Sequence, residues 1–432
     1  MKKEKNVLDF LETGEDFPVA PVPLNARKSW VSIGMVWTGV FISIAGILDG
    51  LSVVGALPFY EGLLALAIGF IIFSTMAVLQ GSIGTKTGLS TYMIAKFSFG
   101  SKGSHVVSLV SFLGSFGWYI IQCRALAESF ISLTGFGNIQ VASVFFGLLM
   151  MVTAILGYRG IEALSKPTVI YTFFFMIIAT INGLMKSTSN FEQLVALAPL
   201  SKPLSFSATV SVVVGAMAIG VVISPDIMRF SRSTSDNIKA LFIIGLPFSI
   251  IQPVSAMILG LLSNSSNFSI VMITMGGIFG LIMVLTGAWT SNDNNLYSAS
   301  LAMSEMTKNK YKRWKISVTL GVLASFISGF FDLSMYQEVM FFICAFVIPV
   351  AGICIADFYI LPKMGLKSGI VQELDIPINI NAIISWVFGG LLQASFDYSK
   401  IRPILGIPGV VITIITSMII YIVLMKLKYK SK

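Results

Sequence analysis

Apolar runs of about twenty residues recur along the chain, separated by short polar connections, and this pattern predicts helices that cross a bilayer. Twelve runs are read, at 30–52, 62–80, 104–131, 139–157, 167–185, 208–228, 238–263, 270–292, 316–331, 337–360, 378–394 and 404–425. Helices are expected because in lipid the backbone must satisfy its own hydrogen bonds, which a spanning helix does within one segment. The first 29 residues are polar, and the first run is already of spanning length with no small-residue cleavage site behind it, so no signal peptide is expected. The longest connections, 186–207 and 361–377, are about twenty residues each, too short for a soluble domain. The predicted division is a tail at 1–29, helices 1–5 within 30–185, helices 6–10 within 208–360, helices 11–12 within 378–425 and a tail at 426–432.

Composition agrees with an all-α polytopic membrane protein. Only 11% of the 432 residues are charged and 55% are hydrophobic, against roughly 25% charged in an ordinary soluble domain. A soluble globular protein, a disordered chain and a secreted disulfide scaffold are thereby excluded. Cys123, Cys344 and Cys354 all fall in apolar stretches and read as small core residues. A single histidine, His105, rules out a histidine-based metal site and reads as interfacial.

The net charge of +9 becomes informative once the basic residues are placed. With both termini in the cytoplasm, 24 of the 29 Lys and Arg fall in inside segments, four in outside loops (Lys186, Lys202, Lys400, Arg402) and one, Arg124, within the third run. This is the bias that keeps basic loops cytoplasmic. The positive charge therefore reports topology in a cell membrane, and no nucleic-acid partner is needed to explain it.

Function is sought where polar residues, Gly or Pro interrupt apolar helices, since broken helices free backbone groups to bind solutes at membrane depth. The first run holds Gly39, Ser43, Gly46, Asp49 and Gly50; the sixth holds Gly215, Gly220 and Ser224-Pro225-Asp226. These runs open two consecutive sets of five helices, and because five is odd the second set enters the membrane inverted. Paired interruptions of this kind point to a transporter site; the alternative is that the glycines only allow close helix packing.

The eighth run is expected to end in Thr290-Ser291-Asn292-Asp293-Asn294-Asn295. Two hydroxyls and the Gly287 carbonyl one turn earlier offer hard oxygen ligands suited to Na⁺; the alternative is an exposed helix end, and the depth of Asn292 decides. In the third run Trp118 and Gln122 stand one turn apart on one face with Ser115 nearby, an apolar platform beside an amide that both donates and accepts. That suits a planar heterocycle; the plainer reading is an interfacial anchor, yet Trp118 is expected mid-helix, where aromatic belts do not form. Arg124 and Glu128, also one turn apart, read either as a structural pair or as a functional one. Asp49, Asp226 and Asp357 are placed near helix ends, Asp226 pairing with Arg229. A membrane-embedded enzyme lacks a nucleophile–base pair here, and a channel fits poorly with deep polar groups on interrupted helices.

Several motifs occur in order: Pro21-Val22-Pro23 with Ala26-Arg27-Lys28, Gly84-Thr85-Lys86-Thr87-Gly88-Leu89-Ser90-Thr91, Lys96-Phe97-Ser98-Phe99-Gly100 with Lys102-Gly103-Ser104, and Gly117-Trp118. Asp226 with Arg229-Phe230, Trp289 through Asn294 with Leu296-Tyr297, and Ile348-Pro349 through Ile355-Ala356-Asp357 follow. Together they resemble the nucleobase:cation symporter-1 family, in its purine–cytosine permease branch. The resemblance implies a five-plus-five inverted-repeat, LeuT-like core with two extra C-terminal helices. It also implies a monomer without a cofactor, alternating access and Na⁺-coupled uptake of a nucleobase; a related heterocycle or H⁺ coupling is the alternative.

Carried over by position, the resemblance implies a cation site at the carbonyls of Gly39, Ile42 and Gly287 and the hydroxyls of Thr290 and Ser291. It implies a substrate site including Ser43, Trp118, Ala216, Met217 and Asn292. Met217 stands where the branch has an aromatic, Ala216 where it has serine and Ser115 where it has glutamine. Gln122 resembles instead the arrangement in related hydantoin transporters. The expected pose stacks a ring on Trp118, hydrogen-bonds it to Gln122 and Asn292, and covers its other face with Met217.

Overall fold

The computed structural model describes Phe17 and residues 20–268, 270–271, 276–372, 376–398 and 407–430. Residues 1–16, Lys400, Arg402 and Lys432, which enter the charge count above, lie outside the described residues, as does the side chain of Cys344. Among the described residues helices predominate, and extended pairing is limited to one isolated bridge between Lys28 and Ser231.

The first predicted run is two helices, α1 (Trp30–Phe41) and α2 (Ile44–Ala56), bent by 58°. Then follow α3 (Phe59–Thr87), α4 (Thr91–Phe99), α5 (Ser104–Thr134), α6 (Ile139–Ala154), α7 (Tyr158–Lys186) and the short α8 (Phe191–Val195). The sixth predicted run is α9 (Phe206–Ala216) and α10 (Ala218–Met228), which meet at Met217. After α11 (Thr234–Lys239) the chain continues through a wider helical turn at Ala240–Gly245 into α12 (Leu246–Leu262). Last come α13 (Ile278–Met306), α14 (Arg313–Ser328), α15 (Tyr336–Ile355), α16 (Ile380–Tyr398) and α17 (Gly409–Lys430).

Among the described residues six helical segments are long and apolar enough to cross a membrane, and the bent α1–α2 pair makes a seventh. The chain is therefore an integral membrane protein. Its surface is the reverse of a soluble one: Phe174 (57% exposed), Ile178 (59%), Phe388 (58%) and Leu391 (65%) face outward, while Ser298, Asp293 and Asn292 are buried. Lipid makes such an exterior favourable, and the interior then has to satisfy its own polar groups.

One expectation is corrected. The eighth run does not end at the polar stretch 290–295, because α13 continues to Met306 with Thr290 through Asn295 buried in its middle. Hydropathy falls there, but the side chains find partners on neighbouring helices, and a helix needs only that. Asp49 is likewise mid-helix, because α2 extends to Ala56.

The helices that carry the interruptions form the centre of the bundle: α13 packs along α5, α10 along α3 and α2 along α12. One end is tied together by the N-terminal segment. Arg27 donates to the carbonyls of Thr85 and Ser231, Lys28 pairs with Glu162 at 3.2 Å, and the Lys28 N–H bonds the Phe230 carbonyl. These contacts join the ends of α1, α3, α7 and α10, all of which the basic-residue count assigns to one side.

Candidate functional site

The site begins at the break in α1. Ile42 takes a non-helical conformation, and Ser43 starts α2 with its hydroxyl accepting from the Ala45 N–H at 3.2 Å. In a continuous helix the Ser43 N–H would reach back to Gly39, but here it bonds Phe41 at 2.8 Å. Likewise the Gly46 N–H bonds Ser43 at 3.1 Å rather than reaching Ile42. The break thus releases the carbonyls of Gly39 and Ile42 from the regular helical pattern.

Those carbonyls meet α13. The Thr290 hydroxyl bonds the Gly39 carbonyl at 2.8 Å and the Gly287 carbonyl at 3.0 Å. Gly287 lies so close to the break that a Cβ there would stand 2.3 Å from the Ile42 oxygen, a contact only glycine avoids. The Ser291 hydroxyl accepts from the Gln122 side chain at 2.9 Å. Gly39, Ile42, Gly287 and Thr290, four of the five predicted cation ligands, therefore meet at one point, and Ser291 follows on the same helix. An oxygen-rich cluster with little formal charge suits a hard monovalent cation.

Beside it is a cavity walled by α1–α2, α3, α5, the α9–α10 junction and α13. Of the predicted substrate residues, Ser43, Trp118, Ala216 and Met217 line it, as does Ser291. Trp118 is 4% exposed in the middle of α5, so it is a wall of the cavity and not an interfacial anchor.

Gln122, Asn292 and Ser115 are buried but stand behind the lining. Asn292 is a junction: its Oδ1 accepts from Gln122 at 3.3 Å and from Asn295 at 3.2 Å, while its Nδ2 donates to the Tyr119 carbonyl at 3.2 Å. It thereby pins α13 against α5. The Gln122 Oε1 and the Ser115 hydroxyl are buried without partners.

Three polar residues that the sequence reading did not place in the site also line the cavity: Asn294, Asn295 and Asp49. The Asn294 Nδ2 donates to the Thr290 carbonyl at 3.0 Å, leaving its Oδ1 buried and unpaired. Helical spacing holds the missing signal, because residues three and four after Ser291 share its face whereas Asn292 is turned by about 100°.

Other candidates sit elsewhere. The Arg124 Nε pairs with Glu128 at 2.9 Å and its Nη1 donates to the Gly329 carbonyl at 3.1 Å, fixing α5 against the end of α14. The Asp226 carboxylate accepts from the Thr91 N–H at 2.8 Å and the Ser298 hydroxyl at 3.1 Å, while the Arg229 Nε donates to the Asp226 backbone carbonyl at 3.3 Å. Asp357 is held by the backbone N–H groups of Gly369 and Ile370 and the hydroxyl of Tyr421. These carboxylates tie helix ends together. His105 lies 3.5 Å from the Glu305 carboxylate and is 41% exposed, at the edge of the bundle.

Comparison with known proteins supplies the context. Residues 21–424 match the family described as "Permease for cytosine/purines, uracil, thiamine, allantoin". The cytosine permease of Escherichia coli K12 is 29% identical over 354 residues, covering 79% of this chain and 81% of that protein. The hydantoin permease of Microbacterium maritypicum is 22% identical over 205 residues, 46% of this chain and 41% of that one. Among solved structures, the nucleobase-cation-symport-1 family transporter MHP1, closed with bromovinylhydantoin bound, superposes with a TM-score of 0.78 at 17% identity, covering 95% of each chain. A Na⁺-coupled sialic acid symporter shares the fold more distantly, with a TM-score of 0.64 at 14% identity over 99% of this chain and 93% of that one.

Proposed function

The chain belongs to the family of permeases for cytosine/purines, uracil, thiamine and allantoin, and on that premise we propose that it imports a nucleobase, cytosine or a closely related pyrimidine or purine, by Na⁺ symport. The observation that carries the reading is the adjacency of two sites: the Gly39–Ile42–Gly287–Thr290 oxygen cluster and the cavity with Trp118 meet at Ser43 and Ser291. A ring stacks on Trp118, Met217 covers it in place of an aromatic, and Ser43, Asn294 and Asn295 offer donors and acceptors to its rim. Gln122 and Asn292 contribute by holding Ser291 and Asn295 in place, and the unpaired Gln122 oxygen comes within reach if its amide turns.

In this reading the chain crosses the cell membrane twelve times with both termini inside, as a monomer. The first ten helices form two inverted sets, 30–185 and 208–360, whose opening helices are the broken α1–α2 and α9–α10. Na⁺ binding between α1 and α13 favours substrate binding, and linkage requires the converse by the same factor. The resemblance to the MHP1 fold, the 58° bend between α1 and α2 and the one-residue interruption of the helix at Met217 support the arrangement.

The test is uptake of labelled cytosine in cells expressing the protein, competed by cytosine, uracil, a purine, hydroxymethylpyrimidine, hydantoin and allantoin, with and without Na⁺. Saturable, Na⁺-stimulated uptake competed best by a nucleobase is expected. Competition by hydantoin or allantoin alone would move the substrate to those heterocycles, and uptake indifferent to every compound would contradict the reading.

A further inference from the structure

Among the described residues lining the cavity, Asp49 is the one ionisable side chain, with no lysine, arginine or histidine. Asp49 is 2% exposed on α2, and its Oδ2 is buried with no hydrogen-bond partner. The groups around the cavity from the facing helices, Trp118 on α5, Asn294 and Asn295 on α13 and Met217 at the α9–α10 junction, are all uncharged. A carboxyl group at membrane depth without a partner is destabilising, so its presence in a cavity asks for a ligand that supplies what the protein does not.

We propose that Asp49 recognises an amidine edge of the substrate, an exocyclic amino group beside a ring nitrogen. This inference rests on the reading that the cavity takes a planar heterocycle. Carboxyl and amidine share one proton and form two parallel hydrogen bonds whichever side holds it. An ionised carboxylate accepts two N–H bonds from the protonated amidine; a neutral carboxyl donates to the ring nitrogen and accepts from the amino group. Carboxylate and neutral ring take up one proton in either pairing; an amidine's basic ring nitrogen can hold or share it, whereas with a lactam, N–H beside C=O, it stays on the carboxyl and is donated to a weakly basic carbonyl oxygen. Asp49 therefore sorts rings by edge chemistry, which stacking on Trp118 leaves undiscriminated.

The test compares binding of cytosine and uracil, the same ring with the amidine replaced by a lactam, to the purified protein in nanodiscs. Wild-type protein is expected to bind cytosine at least about tenfold more tightly than uracil. Asp49→Leu, which removes donor and acceptor at similar volume, should weaken cytosine at least about tenfold and uracil less than about threefold, and Asp49→Glu should restore part of the preference. Wild-type preference for uracil, or a preference surviving in Asp49→Leu, would overturn the proposal; so would an equal loss of both ligands, which marks a structural role. The wild-type comparison stands even if the variants fail to fold. Wild-type protein that binds other heterocycles of the competition panel without favouring the amidine sinks the Asp49 assignment alone, whereas protein that binds none of them sinks the proposed function with it.

Discussion

Trp118→Ala should abolish saturable heterocycle uptake while leaving the protein inserted and monodisperse. Trp118 is the large aromatic wall that α5 contributes to the cavity, and it is nearly fully buried. Stacking of a base on an aromatic side chain is worth about 1–3 kcal/mol by alanine substitution, or roughly tenfold to a hundredfold in affinity. Met217, which lines the same cavity, offers a flexible thioether in place of an aromatic ring, so it does not replace the lost face. Trp118→Phe keeps a face and should retain part of the uptake. Binding by purified protein and uptake in cells should fall together; normal uptake by the alanine variant would remove Trp118 from the site.

The second large effect concerns the cation. Thr290→Ala with Ser291→Ala removes both hydroxyls of the proposed ligand set, and with Thr290 goes the bond that joins the α1 break to α13. The Na⁺ concentration giving half-maximal uptake should rise at least about fivefold, two lost hydroxyl contacts being worth about 1–3 kcal/mol together. Because linkage is reciprocal, the factor by which Na⁺ raises substrate affinity in the variant should equal the factor by which substrate raises its Na⁺ affinity. Protein amounts and thermal stability without Na⁺ serve as the control for folding. An unchanged Na⁺ requirement in the double variant would remove Thr290 and Ser291 from the cation site, and uptake independent of Na⁺ in the wild type as well would argue for H⁺ coupling.

What could be read from the sequence divides along physical lines. Hydropathy located the helices well where apolar residues face lipid, as on α3 and α7, since there a run of apolar side chains is the signal itself. It failed on α13, where the polar stretch 290–295 lowers hydropathy and was read as a helix end. Its partners lie far away in sequence: Gln122 reaches Ser291 and Asn292 from α5, and Thr153 donates to Asp293 at 2.7 Å from α6. No local pattern announces such pairing.

Of the oxygen cluster, Thr290 and the Gly287 carbonyl were legible from helical spacing alone, whereas the carbonyls of Gly39 and Ile42 entered only through the family resemblance. The cavity was legible only in part. Trp118 and Met217 line it, but Asn292 joins α13 to α5 behind the lining, and the face presented to the cavity is that of Ser291, Asn294 and Asn295. Asp49 was passed over as a helix-end carboxylate, because the break at Ile42 and Ser43 shifts where the second half of the first run begins and ends.

The central claim is that one break in α1 serves both a cation and a planar base. Its most direct test is substrate accumulation in proteoliposomes holding the purified protein, with Na⁺ outside, K⁺ inside and no pH gradient. The account predicts that labelled cytosine, or the best competitor from the panel, accumulates transiently above its external concentration and that accumulation vanishes when Na⁺ is equal on both sides. Equilibration without accumulation under the Na⁺ gradient, or accumulation driven only by a pH gradient, would contradict it.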